Sequence, residues 1–177
     1  LRQNRLVIPA LSALLLLGLL PAASSAQQGN HAAGLALGIG GATSADPRTD
    51  YGNLGFQAFF SMEVQAGTLF VVRLGRLGLE SRDSTVDADL TYLTLAGEYL
   101  FHAGTYQSGL FLGVGGYDFS ASRGFGDESA LGVTLGTTGD FRLTDRLSLR
   151  IEFSGHYADL DYAQFFLMGH AGVAYHF

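Results

Sequence analysis

The chain has 177 residues, the length of one domain, and it carries no cysteine, so disulfide staples, thiolate metal sites and thiol chemistry are excluded. A formal net charge of −6, with no basic stripe, argues against a nucleic-acid partner. Glycine is abundant at 25 residues and proline scarce at 3; the glycines follow no three-residue period, so they suit strands that bend or approach closely rather than a collagen.

Arg2 and Arg5 precede an apolar run from Leu6 to Leu20, which gives way to Pro21-Ala-Ala-Ser-Ser-Ala26. A positive start, an apolar centre and a small-residue exit predict a cleavable secretory signal peptide over 1–26, cut after Ala26. A membrane-anchor helix is the alternative, but the run is short for a span of ~20 residues. The expected mature chain, 27–177, has no later apolar run of that kind. To enter a membrane it would have to close into a barrel, because backbone groups in lipid need internal partners.

Eight segments then alternate with a period of two, the mark of half-buried strands. The first is His31–Ala42, with Leu35, Leu37 and Ile39 on one face. A polar stretch from Thr43 to Asn53 leads to Leu54–Gln65, where Phe56, Ala58, Phe60, Met62 and Val64 share a face. The turn Ala66-Gly67-Thr68 opens Leu69–Glu80, in which Phe70, Val72 and Leu74 alternate with Val71 and Arg73. There the phase shifts: a bulge near Gly75-Arg76 is expected to keep Leu77 and Leu79 on the greasy face. The fourth segment, Asp89–Phe101, sets Leu93, Leu95, Gly97, Tyr99 and Phe101 against Tyr92, Thr94, Ala96 and Glu98. The fifth is Ser108–Tyr117, with Leu110, Leu112 and Val114 outward, and the sixth is Ser129–Phe141, with Leu131, Val133, Leu135 and Thr137. Leu147–His156 follows after Arg-Leu-Thr-Asp-Arg, and Phe165–Phe177 is last, its alternate residues Phe165, Leu167, Gly169, Ala171, Val173, Tyr175 and Phe177 all apolar or small.

The connections also alternate. Longer, acid-rich ones follow strands 1, 3, 5 and 7, and short ones follow 2, 4 and 6. That asymmetry predicts an all-β fold, an eight-stranded antiparallel up-and-down transmembrane β-barrel with long loops at one membrane surface and tight turns at the other. Leu35-Ala-Leu-Gly-Ile-Gly-Gly41 echoes Leu110-Phe-Leu-Gly-Val-Gly-Gly116, which a four-strand duplication or shared strand constraints would equally explain.

Glu63, Arg73, Glu98, Arg150 and Glu152 all fall opposite the leucines. Tyr99, Phe101, Phe141, Tyr175 and Phe177 gather near the short turns, and Tyr51, Phe56, Tyr157, Tyr162 and Phe165 near the long connections. Two aromatic girdles around an aliphatic band place the greasy face in lipid and the charges in the lumen. With the turn at Gly67, Ser61 is expected opposite Arg73, which then pairs with Glu63 or Glu98 while Arg150 and Glu152 contribute across the lumen, since an unpaired interior charge is costly. An ion path is the functional reading of this cluster. A structural plug is favoured, because eight strands leave an interior only wide enough for side chains.

The alternating segments, the tight link from Arg142 to Arg150 and the terminal Tyr-His-Phe resemble the small outer-membrane β-barrel family that includes the OmpA transmembrane domain and OmpX-like proteins. The resemblance implies a surface or structural role without catalysis, cofactor or metal. It also implies insertion as a monomer into outer-membrane lipids and lipopolysaccharide, and delivery by periplasmic chaperones to an assembly machinery that reads a last strand ending in phenylalanine. Gly169, Ala171, Val173, Tyr175 and Phe177 would form that signal. The cell-wall tether of longer members is not expected.

Lipid A deacylases among such barrels place a lipid-facing serine two residues after a histidine. Here His156-Tyr157-Ala158-Asp159 puts alanine there, so the histidine has no hydroxyl to activate. Glu152, Ser154 and His156 share a face, but neighbours two apart on a strand sit ~7 Å from each other, beyond hydrogen-bond reach. A narrow pore and a soluble periplasmic ligand-binding barrel remain as alternatives. The acids of the long connections read as a solvated rim, because no spaced cation-ligand motif occurs among them.

Overall fold

The computed structural model describes residues 31–43, 51–80, 87–103, 106–121, 127–161 and 163–177, without the side chains of residues 51, 52, 80, 87, 102 and 103. The expected signal segment, 1–26, lies outside the described residues, as does Tyr162.

Eight strands form one closed antiparallel barrel in sequence order: β1 (His31–Ala42), β2 (Tyr51–Gln65), β3 (Thr68–Glu80), β4 (Asp87–Ala103), β5 (Tyr106–Ala121), β6 (Glu128–Arg142), β7 (Leu147–Ala158) and β8 (Phe165–His176). β8 closes on β1 from Ala32 opposite His176 to Ala42 opposite Phe166, so no strand edge is left open. Tight links join β2 to β3, β4 to β5 and β6 to β7, and both ends of the barrel chain meet at that same end. Strands β4, β5 and β6 run further than the alternation indicated, because polar residues such as Asp118 and Ser120 continue the ladder past the last aliphatic position.

The short turn after β2 needs Gly67, whose φ of 76° lies in the left-handed region that side-chain-bearing residues rarely adopt. Its N–H donates to Glu63 Oε1 at 3.2 Å and its carbonyl accepts from Leu100 N at 2.8 Å, which ties the turn to β4.

Side chains segregate by parity. Leu35, Leu37, Ile39, Phe56, Leu110, Leu112, Leu131, Leu135, Phe153, Leu167 and Val173 are exposed on the outer wall. Tyr99, Phe101, Phe141, Tyr175 and Phe177 form an exposed aromatic ring near the short turns, and Phe56, Tyr157 and Phe165 stand towards the other end. From Phe101 to Leu93 the apolar wall of β4 covers roughly 27 Å along the strand, or about 20 Å of height at a tilt of about 40°, close to the band of a transmembrane barrel. The two echoing segments keep the same facing, with Leu35, Leu37 and Ile39 outward on β1 as Leu110, Leu112 and Val114 are on β5.

β3 departs from the sequence reading. Its alternation is unbroken: Leu77 and Leu79 point inward, 1% and 3% exposed, and Arg76 points outward. The register shifts lie instead on β2, between Gly52 and Gly55 and between Glu63 and Gln65. With Gln65 already opposite Thr68, the shift nearer the turn puts Phe59, not Ser61, opposite Arg73. Leu77 and Leu79 are satisfied inside because the long-connection end of the lumen is itself apolar, and Arg76 is satisfied outside by Asp89 on β4 at 2.6 and 3.1 Å. A leucine on this wall does not by itself mark the outer face.

Candidate functional site

The interior is built in three layers. At the long-connection end Leu77, Leu79, Leu90, Phe119, Phe166 and Met168 pack with Leu160 and Ala163, which the connection after β7 folds down onto them. That connection is held by Leu160 N to Ala158 O and Ala158 N to Gln164 O, both 2.9 Å, so the chain caps its own barrel.

The middle layer is a charge network. Arg73 Nε donates to Glu152 Oε2 at 2.9 Å and Arg73 Nη2 to Glu98 Oε2 at 3.2 Å. Arg150 Nη2 donates to the same Glu98 oxygen at 2.7 Å and Nη1 to Asp140 Oδ2 at 2.8 Å. Thr138 donates to Glu98, and Gln57 Nε2 to Glu152 Oε1 at 3.3 Å. Two guanidiniums thus sit among three carboxylates, all buried. Burying such charges requires both pairing and further hydrogen bonds, and both are present. Arg73 also lies 4.0 Å over the Phe111 ring and Arg150 5.0 Å over Phe59, where the ring quadrupole attracts each cation. Glycine at 109 is a condition of the network: a Cβ there would stand 2.7 Å from Glu98 Oε1 and 2.6 Å from Thr138 Oγ1.

Between these layers, Tyr92 OH donates to Gln57 Oε1 at 2.9 Å and stands 3.5 Å from His170 Nε2. Tyr117 OH lies 2.9 Å from His156 Nδ1, and His156 Nε2 lies 2.9 Å from Ser154 Oγ. The expectation that Ser154 and His156 are too far apart is therefore corrected: the imidazole reaches back along its own strand. At the short-turn end, Asp140 and His176 are joined through Ser148 Oγ, at 3.1 and 2.9 Å. A cavity of about 50 Å³ opens there, lined in part by Glu63, Asp140, Arg142 and His176.

Of the five charges singled out from the sequence, the structure brings together Arg73, Glu98, Arg150 and Glu152. It places Glu63 nearer the mouth, bonded to the Gly67 turn. Gln57, Thr138 and Asp140 were missed, although the same alternation puts all three on the inner face. Gly169, Ala171, Val173, Tyr175 and Phe177 all lie on the outward side of β8 or at its end. Among the described residues, no three His, Cys, Asp or Glu side chains are placed to hold a metal ion.

The arrangement offers cross-bracing between strands that share no ladder, Arg73 on β3 with Glu152 on β7. Ser154 and His156 are buried in a filled interior, and Ala158, at 0% exposure, faces the lumen rather than lipid.

No protein-family model matches the sequence, and no curated protein matches it. The fold is similar to that of several solved barrels. Neisserial surface protein A shares 16% identity over 87% of this chain and all of that one, with a TM-score of 0.63. A major outer membrane protein from Thermus thermophilus shares 13% over 85% of this chain and all of that one, at 0.66. The N-terminal β-barrel domain of Pseudomonas aeruginosa OprF shares 14% over 85% and all of that domain, at 0.58. The chain has the fold of the small outer-membrane β-barrels.

Proposed function

We propose that the protein is a small integral outer-membrane β-barrel with a structural or surface role, whose lumen is closed by its own side chains and which performs no catalysis. One observation carries this reading: polarity is inside out, with aliphatic residues exposed around the wall and paired charges buried within it. In water that arrangement would expose a large apolar surface; in lipid that surface is satisfied, while the lumen charges are satisfied by one another.

Residues 1–26 act as the export signal, leaving 27–177 to insert as a monomer among outer-membrane lipids and lipopolysaccharide. Periplasmic chaperones and the assembly machinery receive it through the outward face of β8 ending at Phe177. Heat-modifiable migration of the membrane fraction in detergent gels tests the reading, and extraction without detergent would overturn it in favour of a soluble barrel. Planar-bilayer recording tests the plug, and a steady large conductance would replace it with a pore.

A further inference from the structure

Two threonines on the inner wall, Thr94 on β4 and Thr134 on β6, are 0% and 1% exposed, and neither hydroxyl has a hydrogen-bond partner among the described residues. Arg73 Nη1, equally buried, has none either. The ladders set these groups on neighbouring strands: Arg73 opposite Thr94, Thr94 opposite Gly115, and Thr134 opposite Gly113. On the inner face of β5 those two glycines lie between Phe111 and Tyr117, whose rings lean onto β6. A Cβ at Gly136 would stand 2.5 Å from Phe111, and one at Gly132 2.8 Å from Tyr117. Between the two hydroxyls the wall thus carries only Gly113 and Gly115, beside Ala96 and the methyl of Thr94 itself. Thr138, by contrast, is partnered and donates to Glu98.

We infer that the lumen binds ordered water here, hydrogen-bonded to Arg73 Nη1 and to the Thr94 and Thr134 hydroxyls, and stays dry nearer the long connections. The inference deepens the reading of the lumen as a plug. Buried polar atoms in folded proteins are almost always bonded to protein or to ordered water, and here protein supplies no partner. Charge selects the ligand. An anion would join a layer that already holds three carboxylates against two guanidiniums, and a cation would meet the N–H of Arg73. Water is neutral, small, and both gives and accepts. Leu77, Leu90 and Phe119, towards the long connections, offer none of the polar partners that a buried water needs.

A high-resolution crystal structure of the barrel tests this, with a second crystal soaked in sodium bromide. Expected are a water peak ~2.7–3.2 Å from each of the three atoms, no anomalous bromide signal there, and no water among Leu77, Leu90 and Phe119. Thr94→Val keeps the side-chain shape without the hydroxyl and should lose the water at that position, while Thr134 keeps its own. Bromide at the site, the three atoms bonded to protein groups instead of water, water within the apolar layer, or an unchanged peak at position 94 in Thr94→Val overturns the inference. The wild-type density decides the site even where the variant fails to fold. A steady large conductance in planar bilayers, with these waters in place, would count against the plug and not against the site.

Discussion

Arg73 and Glu152 meet across the lumen, Nε to Oε2 at 2.9 Å, on strands β3 and β7 that share no ladder. The contact therefore braces one side of the wall against another, which no backbone bond among the described residues does. Replacing Glu152 by glutamine leaves a buried guanidinium short of an anion and should lower the unfolding free energy by about 3–5 kcal/mol. Arg76→Gln, which breaks the solvent-exposed pair with Asp89, should change it by no more than about 1 kcal/mol. Urea titration in lipid vesicles, read by gel migration, compares the two. Equal effects would mean that the interior pair is not a brace.

The facing of β3 has its own test. Leu77→Ala opens a cavity in the apolar layer and should cost about 2–5 kcal/mol. Leu74→Ala, on the outer wall, leaves no enclosed cavity and should cost clearly less. Equally small costs for the two in the same titration would restore a bulge at Gly75-Arg76.

How far the sequence led is visible in these two leucines. Strand positions, the closed antiparallel order and the inward facing of Arg73, Glu98, Arg150 and Glu152 are legible because side chains alternate with a strict period of two. Leu77 and Leu79 defeat the reading because hydrophobicity marks a face only where the two faces differ, and near the long connections the interior is as greasy as lipid. The partner of Arg73 across the lumen was half legible. Glu98 lies on a neighbouring strand, but the approach of Glu152 depends on barrel closure, and the β2 register depends on a bulge between Glu63 and Gln65 that leaves no compositional trace. The Ser154–His156 contact was missed because backbone spacing says little about how far an imidazole folds back.

Gly109 gives a third prediction. Gly109→Ala drives a methyl group against Glu98 and Thr138 and should destabilise the barrel by about 1–3 kcal/mol through overpacking. Adding Thr138→Ala removes one of the two obstacles, so the double variant should recover part of the loss. Simple additivity of the two single effects would show that the residues do not share the space.

Ser154 and His156 supply a fourth. With both side chains enclosed, Ser154→Ala should leave the lipid A acyl pattern of cells producing the protein identical to that of wild type. Mass spectrometry of extracted lipid A decides this, and an acyl chain missing only in cells with intact Ser154 would turn the hydrogen bond into a catalytic one.

Phe177 N donates to His31 O at 3.0 Å, and the His31, Phe60 and Phe177 rings gather within 6.0 to 6.5 Å of one another. The finished wall is thus a ring without a privileged first strand. A circular permutant that links 177 to 31 and is cut in the 66–67 turn would retain all but that turn's own contacts, yet present β2 as the last strand made. The numbering of the strands is then a matter of delivery rather than of architecture: such a chain should unfold much like the parent once inserted and differ chiefly in how fast it gets there.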